Sequence, residues 1–366
     1  MGGIRDVRIG IVGLGRLGMK HAENLAFRIR GARLEAACAL EPDRVQAVCR
    51  DWGVPRGYAR FEDLLADREL DAIFVASSSA EHCAQVRSAL DAGRHVFCEK
   101  PLGVTLEECR AAEEAVARNP DRVFLLGFMR RYDASYRRAK ALIDAGRIGK
   151  PILFRGYSVD PESAIEGAIR FAPSSGGQFM DMSVHDIDLA RWMLGAEATT
   201  IFAAGGCYAH PEFAAFGDGD NLAAFARFDS GAMAFFLAGR TAAHGYDVET
   251  EIIGTLGTLR IASVPQKDLV EILDTHGAVR ECSQSFLERF EAAYLAEAQE
   301  FVDCIREGRR PEVTVQDGTR ATEVAFAATR SFRQDELVRL TPAAAPGSAP
   351  GLTPGSTPGS TPRRSA

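Results

Sequence analysis

The sequence contains no apolar run long enough to form a transmembrane helix. The best candidate, residues 232–239, has the length of a β-strand, whereas a membrane span needs about 20 apolar residues. The Met1-Gly2 start does not continue into a myristoylation signal, because Asp6 stands where that signal has Ser or Thr. We therefore expect no membrane partner.

Clusters of positive charge are also missing. The chain has 43 Lys and Arg residues against 50 Asp and Glu residues, a formal net charge of −7, and the basic residues are scattered. Because a nucleic-acid surface needs a basic patch, this distribution predicts no nucleic-acid partner and favours a small-molecule ligand.

The eight cysteines form no Cys-x-x-Cys pair and no Cys/His spacing typical of a metal site. The chain is large, has no signal peptide, and begins its first predicted strand within the first ten residues, so a disulfide framework is not expected. We predict reduced thiols, no bound metal and a cytoplasmic location.

Length and residue pattern predict two domains and a tail. The 366 residues, 46% hydrophobic and 25% charged, exceed what one core usually supports. Across 1–127, short apolar runs alternate with helical patterns, which predicts an α/β Rossmann domain with a doubly wound parallel sheet. Across 128–340, consecutive strands predict an α+β domain. Its mainly antiparallel sheet is covered or flanked by helices at 286–307 and 318–331. Residues 341–366 are rich in Pro, Gly, Ser and Thr and predict a disordered tail.

A glycine-rich turn follows the first predicted strand. Residues 7–12 lead into Gly13, Gly15 and Gly18, and then into residues that favour a helix. In a dinucleotide-binding turn the first glycine permits the tight turn, the second admits the pyrophosphate, and the third lets the helix pack closely on the strand. The position of the motif predicts such a site, and the alternative is an ordinary strand-turn-helix with glycines for packing.

Lys100 is a candidate functional residue because of its position. It follows the predicted strand 95–98, and open α/β sheets bind their ligands at the carboxyl ends of the strands. Pro101 restricts the backbone immediately after it. The alternative is a surface lysine.

The segment 174–192 supplies an acid and a base. On an α-helix opened by two glycines, Asp181, His185, Asp188 and Trp192 fall within one arc of about 60°. A carboxylate and an imidazole four residues apart can touch, and the carboxylate can then orient a histidine that takes a proton from an alcohol. The alternative is that Asp181 complements the helix N-terminus and His185 lies in the core.

These motifs, taken together, resemble the Gfo/Idh/MocA oxidoreductases, the family of glucose-fructose oxidoreductase and inositol dehydrogenase. The glycine turn, the Glu99-Lys100-Pro101 tripeptide and the Asp181…His185 segment occur in the family's order and approximate spacing. The resemblance covers nearly everything before the tail. It implies that Lys100, Asp181 and His185 meet at the nicotinamide as catalytic residues, and that the peptide bond before Pro101 is cis.

Each residue of this trio has an expected role. His185 is the base, Lys100 hydrogen-bonds the reacting oxygen, and Asp181 orients one of these two and holds a neighbouring hydroxyl. Within the family the likeness is greatest to the inositol 2-dehydrogenases, including the scyllo-inositol type. It is carried by residues 127–133, 157–161, 184–192 and 245–247.

This likeness implies a pocket for a cyclic polyol or sugar. The implied substrate-binding residues are Lys100, Arg130, Asp160, Asp181, His185 and Tyr246. Three of them could instead serve the fold alone: Arg130 in a surface ion pair, Asp160 in the turn before Pro161, and Tyr246 as a strand-edge aromatic.

The residue at the end of the second predicted strand helps to predict whether the cofactor is NAD or NADP. Folds that prefer NAD usually place an acid there, but in the family pattern this position falls on Ala39, with Glu41 two residues later. Arg44 is close enough to be considered for a 2′-phosphate. We expect NAD and leave NADP open. The predicted cofactor-binding residues are Gly13, Leu14, Gly15, Arg16, Leu17, Gly18, Ala39, Glu41, Ser77, Glu99 and Lys100.

The predicted function is the oxidation by NAD of a ring CH–OH group in a polyol such as myo- or scyllo-inositol. Alternatives are a dehydrogenase of another sugar, an NAD-retaining glycosidase, and a non-catalytic dinucleotide-sensing regulator. The presence of Lys100, Asp181 and His185 argues against the regulator. The resemblance also implies that the 128–340 domain serves substrate binding and oligomerisation. Relatives use the face of its broad sheet to pair, so we expect a homodimer or homotetramer.

Overall fold

The computed structural model describes residues 5–262 and 266–340, so the predicted tail at 341–366 lies outside the described residues. Strands and helices alternate along the first part of the chain. In order they are β1 (Val7–Val12), α1 (Arg16–Phe27), β2 (Ala32–Cys38), α2 (Pro42–Trp52), β3 (Arg56–Tyr58), α3 (Phe61–Ala66), β4 (Ala72–Val75), α4 (His82–Asp91), β5 (His95–Glu99), α5 (Leu106–Arg118) and β6 (Phe124–Gly127).

These strands form one parallel sheet in the order β3-β2-β1-β4-β5-β6. Helices cover both faces, which explains why β4 is apolar and buried along its whole length. The strand order reverses between β1 and β4, and a crevice for a ligand opens at that switch point. The predicted doubly wound Rossmann sheet is confirmed.

The second part of the chain builds a larger sheet. Its elements are α6 (Ala134–Asp144), β7 (Pro151–Pro161), α7 (Ile165–Phe171), α8 (Val184–Leu194), β8 (Ala198–Gly206), β9 (Asn221–Phe228), β10 (Met233–Ala242), β11 (Asp247–Gly254), β12 (Thr258–Ile261), β13 (Ile272–Asp274), β14 (Gly277–Val279), α9 (Phe286–Arg289), α10 (Glu291–Glu307), α11 (Val315–Gln334) and β15 (Val338–Arg339).

Seven of these strands pair in the order β12-β11-β7-β10-β9-β8-β15. The sheet is mainly antiparallel, as predicted, but β7 and β10 pair in parallel at its centre. One face carries buried residues such as Phe154, Ala224 and Phe236, and it packs against α8 and α11. This alternation of buried and accessible positions is the pattern of a sheet covered on one side.

The C-terminal helices differ in part from the prediction. The helix expected over 286–307 is interrupted at Phe290, and α10 packs on α1 and β1 of the first sheet. Helix α11 bridges the two halves through contacts with α5 and β8. The fully buried Phe290 and Phe301 explain this docking, because their burial removes large apolar surfaces from water.

All eight cysteines are free, as predicted. Within residues 5–262 and 266–340, no helix is both long and apolar enough to cross a membrane.

Candidate active site

The glycine turn joins β1 to α1 in the geometry that the motif predicts. Gly13 has a φ of +94°, a conformation that side chains other than glycine rarely adopt. A Cβ at Gly18 would lie 2.0 Å from the Gly13 carbonyl oxygen, whereas a Cβ at Gly15 would meet nothing within 4 Å. Gly13 and Gly18 are therefore required by the local fold, and Gly15 leaves open space at the N-terminus of α1, where a phosphate group binds well.

Lys100 lies at the carboxyl end of β5, directly after the buried Glu99. The Lys100-Pro101 peptide bond is cis, as predicted. The Lys100 Nζ donates a hydrogen bond to the Asp181 carbonyl oxygen at 2.7 Å and lies 3.7 Å from the Asp181 Oδ1. Lys100, at the end of a strand of the first sheet, thus contacts Asp181 in the segment that follows Gly176 and Gly177.

The helical arc predicted from Asp181 to Trp192 is wrong in part. Residues Phe179–Ser183 form a π-helical turn, and α8 begins only at Val184, so the 100° spacing of an α-helix does not apply across the segment. Asp181 and His185 both line the cleft, but no hydrogen bond joins them. The Asp181 carboxylate is bonded elsewhere, and the His185 Nδ1 has no partner among the described residues.

The other two residues of that arc lie outside the cleft. Asp188 accepts two hydrogen bonds from the Arg131 guanidinium, at 2.5 and 2.8 Å. The Trp192 Nε1 donates to Glu312 at 2.9 Å. These two residues contribute to packing between α8 and its neighbours.

Arg240 is a site residue that the sequence analysis missed. It is 4% exposed on β10. Its Nη2 donates to Asp181 Oδ2 at 2.8 Å, and its Nη1 donates to Asp160 Oδ2 at 3.1 Å. The feature of the sequence that could have identified Arg240 is its position as a single cation directly after the apolar run 233–239.

The three residues implied by the inositol dehydrogenase likeness also line the cleft. Arg130 is 2% exposed and donates to Asp186 at 2.7 Å and to Ser158 at 3.0 Å. Asp160 is held by Arg240, and Tyr246 is 7% exposed. The alternative of a surface ion pair for Arg130 is wrong, because both partners of its pair are buried.

The cleft holds its ionisable groups in defined states. Burial lowers the pKa of His185 well below its ordinary value, and the charges of Lys100 and Arg130 lower it further, so the imidazole is neutral at pH 7. Burial acts to raise the pKa of Asp181, but Lys100 and Arg240 outweigh it, and the net pKa is lowered. Burial raises the pKa of Asp160 despite Arg240. The cleft thus combines a neutral base with a stabilised carboxylate.

The cleft has a volume of about 520 Å³ and runs between the two sheets. From the predicted cofactor-binding set it is lined by Gly15, Arg16, Leu17, Gly18, Ser77 and Lys100. Open space at the glycine turn, continuous with the space beside Lys100 and His185, fits an extended dinucleotide with its pyrophosphate at α1. Phosphate and nicotinamide would therefore lie at opposite ends of one cleft.

The remaining predicted cofactor residues do not line this cleft. Leu14 is buried, and its carbonyl oxygen accepts a hydrogen bond from Arg44 at 2.8 Å. Ala39 is 6% exposed, whereas Glu41 is exposed at the N-cap of α2 with no side-chain capping bond. An acidic side chain that is free beside the end of β2 is suited to ribose hydroxyl groups.

A buried polar cluster lies behind the cleft. The His21 Nε2 and Glu99 Oε1 are 2.6 Å apart. Glu297 lies beside them, so that one side-chain nitrogen or oxygen atom from each of the three residues lies within 4.8 Å of the other two. Both Glu297 oxygens lack a hydrogen-bond partner in the described residues. Burial, and then the charge of Glu99, raise the pKa of Glu297 well above its ordinary value, which favours its protonated form. The second Glu99 oxygen accepts from the Lys100 backbone N–H at 3.1 Å.

Comparison with known proteins decides the family. Residues 7–127 match the family model described as an oxidoreductase family with an NAD-binding Rossmann fold. Residues 136–260 match the Gfo/Idh/MocA C-terminal domain. The chain belongs to the Gfo/Idh/MocA family. The NAD-binding, oxidoreductase assignment expected from the motifs is confirmed.

Family members of similar length match almost the whole chain. A scyllo-inositol 2-dehydrogenase (NAD(+)) of Bacillus subtilis is 38% identical over 92% of this chain and 96% of its own. A myo-inositol 2-dehydrogenase of Thermotoga maritima is 35% identical over 91% of this chain and 98% of its own. The crystal structure of a scyllo-inositol dehydrogenase from Lactobacillus casei, with bound NAD(H) and scyllo-inositol, has a TM-score of 0.89 and 43% identity. It covers 92% of this chain and 99% of its own.

Proposed function

We propose that this chain is an inositol 2-dehydrogenase that uses NAD to oxidise a ring CH–OH group of scyllo- or myo-inositol to a ketone. The observation that carries the proposal is the convergence of Lys100, Asp181 and His185 on the cleft that begins at the glycine turn. The relatives named above support the choice of an inositol as substrate.

His185 acts as the base in this proposal. Its imidazole is neutral because burial lowers its pKa, and a neutral imidazole can accept the hydroxyl proton as the ketone forms. Bound NAD would supply the acceptor for the hydride that leaves the carbon bearing this hydroxyl. His185 is 6% exposed and Phe128 packs edge-on to its ring at 6.0 Å, so the ring is held in place.

Lys100 and Asp181 position the reacting end of the substrate. The Lys100 ammonium donates a hydrogen bond to the reacting oxygen and stabilises the negative charge that develops there. Asp181 fixes the ammonium through its carbonyl oxygen and offers its carboxylate to a neighbouring hydroxyl. Arg130, Asp160 and Tyr246 line the rest of the polyol pocket.

The test is a spectrophotometric screen of inositol isomers and common sugars with NAD and NADP, followed at the reduced-nicotinamide absorption band. We expect turnover of scyllo- or myo-inositol with NAD, and a loss of at least about 100-fold in kcat for Lys100→Met. Lys140→Met is the matched control, because Lys140 on α6 pairs with Asp144 outside the cleft. Turnover by Lys100→Met within tenfold of the wild type would refute the proposed roles.

Two other outcomes of the screen contradict the proposal. Hydrolysis of a glycoside without net reduction of NAD would indicate an NAD-retaining glycosidase. Binding of the dinucleotide with no turnover of any polyol or sugar would indicate a sensor.

We also propose that the uncovered face of the second sheet pairs with a second copy of this chain, giving a homodimer or homotetramer in the cytoplasm. Phe202, Phe225 and Phe235 lie side by side in register on β8, β9 and β10. Phe202 and Phe225 are 39% and 41% exposed, and an apolar row of this kind is typical of a contact surface. Light scattering should give an oligomer for the wild type and a smaller species for Phe225→Asp. A wild-type monomer would refute this.

A further inference from the structure

Arg240 joins two acids that come from different elements. Asp160 lies near the end of β7, and Asp181 lies in the π-helical turn before α8. The Arg240 guanidinium donates one nitrogen to each carboxylate, at 3.1 and 2.8 Å. Because a guanidinium is planar and its donors are fixed, this bridging sets the relative orientation of the two carboxylates.

The position of Arg240 is itself fixed. Its side chain is 5% exposed, its backbone N–H donates to the Asp220 carbonyl at 2.9 Å, and its guanidinium lies 5.5 Å from the centre of the Phe213 ring. A residue held by backbone pairing and ring packing can serve as a rigid support for the two acids.

The charges around this bridge explain why a cation is needed. Two carboxylates near each other disfavour their joint ionisation, and burial acts to raise the pKa of both acids. Arg240 counters this effect on both of them. The other charged groups that act on the pair are Lys100 at the end of β5 and Arg16 at the start of α1. Burial raises the pKa of Asp218, before β9, and Arg240 acts against that rise as well.

The cleft side of the pair remains available. The side chains of Asp160 and Asp181 keep 24% and 21% of their surface exposed, and both line the cleft beside His185. Their remaining lone pairs can therefore accept hydrogen bonds from a ligand.

We propose that Arg240 is a positioning residue that holds Asp160 and Asp181 as two adjacent acceptors for neighbouring hydroxyl groups of the polyol. The inference rests on the proposed function and extends it, since it specifies a substrate that presents two hydroxyls on adjacent carbons next to the reacting centre. Arg240 donates to both acids and also lines the cleft.

The kinetic test compares Arg240→Gln and Arg240→Lys with the wild type, using scyllo-inositol and saturating NAD from about pH 5 to pH 9. For Arg240→Gln we expect kcat/KM to fall about 100-fold, and its acid limb to move up by about 1 to 3 pH units. Arg240→Lys should restore the acid limb but keep KM raised about tenfold or more, because one ammonium cannot form two parallel bonds. If Arg240 only stabilised the fold, Arg240→Lys would not restore the acid limb while leaving KM raised.

A double variant adds a second kinetic criterion. If Arg240 acts through Asp160, then Arg240→Gln should lower kcat/KM by a clearly smaller factor in an Asp160→Asn background than in the wild type. The matched control is Arg118→Gln, since Arg118 on α5 also pairs with an aspartate, Asp91, but is 53% exposed there. This control should leave the kinetics unchanged.

A measurement without turnover keeps the inference separate from the proposed function. Carbon-13 NMR of aspartate-labelled protein, with signals assigned by Asp160→Asn and Asp181→Asn, should show both carboxyl groups titrating about 1 to 3 units higher in Arg240→Gln. If the wild type does not oxidise any inositol but this shift occurs, the substrate is wrong and the role of Arg240 stands. If neither the carboxyl titrations nor the acid limb move, or if Arg240→Gln keeps kcat/KM within threefold, the inference is overturned.

Discussion

Two buried ion pairs, Arg130–Asp186 and Arg131–Asp188, give a ranked prediction of stability. Arg130 and Asp186 are 3% and 0% exposed at the side chain, and their closest atoms are 2.7 Å apart. Within the described residues, the other side-chain hydrogen bond that Arg130 donates goes to Ser158, which is neutral. Asp186→Asn therefore leaves a buried guanidinium without an anion. Removing one partner of a buried pair costs about 3–5 kcal/mol of unfolding free energy.

The Arg131–Asp188 pair differs from the Arg130–Asp186 pair in one respect. Arg131 donates to Asp188 and also to Asp317, at 2.9 Å. After Asp188→Asn the guanidinium still has a carboxylate partner, so we expect a smaller loss of about 1.5–3 kcal/mol, the value of a charged hydrogen bond. The structure thus predicts that Asp186→Asn is the more destabilising of two chemically identical changes two residues apart.

The assay is urea unfolding of the apo protein, followed by fluorescence. The chain has two tryptophans, Trp52 at the end of α2 and Trp192 on α8. A Trp52→Phe background makes Trp192 the single reporter of the second domain. Midpoints at an unchanged m-value then give the free-energy difference.

The control is Asp91→Asn, whose partner Arg118 lies at 3.4 Å with both side chains more than half exposed. It should cost less than about 1 kcal/mol. The reasoning is refuted if Asp188→Asn costs as much as Asp186→Asn, or if Asp186→Asn costs no more than the control.

Three further predictions concern the cofactor turn, the buried cluster and the base. Gly15→Ala should leave the free energy of unfolding within about 0.5 kcal/mol of the wild type, because its Cβ would meet no other atom. The same Cβ should weaken NAD binding at least tenfold by calorimetry, because it would occupy the space that the pyrophosphate needs. Gly18→Ala should instead destabilise the apo protein, because its Cβ meets the Gly13 carbonyl, and equal effects of the two changes would contradict this. The raised pKa of Glu297 means that the folded state keeps a proton that the unfolded chain releases, so stability falls as pH rises above the ordinary Glu pKa of about 4.3. Glu297→Gln should remove this dependence, and its stability relative to the wild type should rise from pH 5 to pH 8 in urea titrations. A difference that is constant with pH would show that Glu297 is ionised. For His185, the lowered pKa keeps the base neutral in acid, so kcat/KM for polyol oxidation should fall only below the ordinary His value of about pH 6.5. An acid limb above that value that persists in His185→Gln would exclude His185 as the base.

Local patterns predicted the features that depend on residues near each other in the chain. The glycine turn after β1 and Lys100 after β5 could be located because a strand end and a following turn are local properties, and parallel strands bring their carboxyl ends to one edge. The mainly antiparallel second sheet was predicted from the same kind of pattern.

The relation between Asp181 and His185 could not be read from spacing. Gly176 and Gly177 both have positive φ, and the backbone enters the helix through a π-helical turn. Such a turn depends on the packing around it, whereas an arc calculated at 100° per residue assumes regular α-helix throughout. The two residues therefore reach the same cleft without bonding to each other.

The sequence by itself determined the parallel sheet, the dinucleotide turn, and which acid, lysine and imidazole face the cleft. Only the tertiary structure decided how charges are paired within it. Arg240 lies 59 residues from Asp181 in the chain, and Arg130 lies 56 residues from Asp186. A buried cation selects its partner by distance and by exclusion of water. Both are set when the second sheet packs against its helices, and neither leaves a periodic pattern in the sequence.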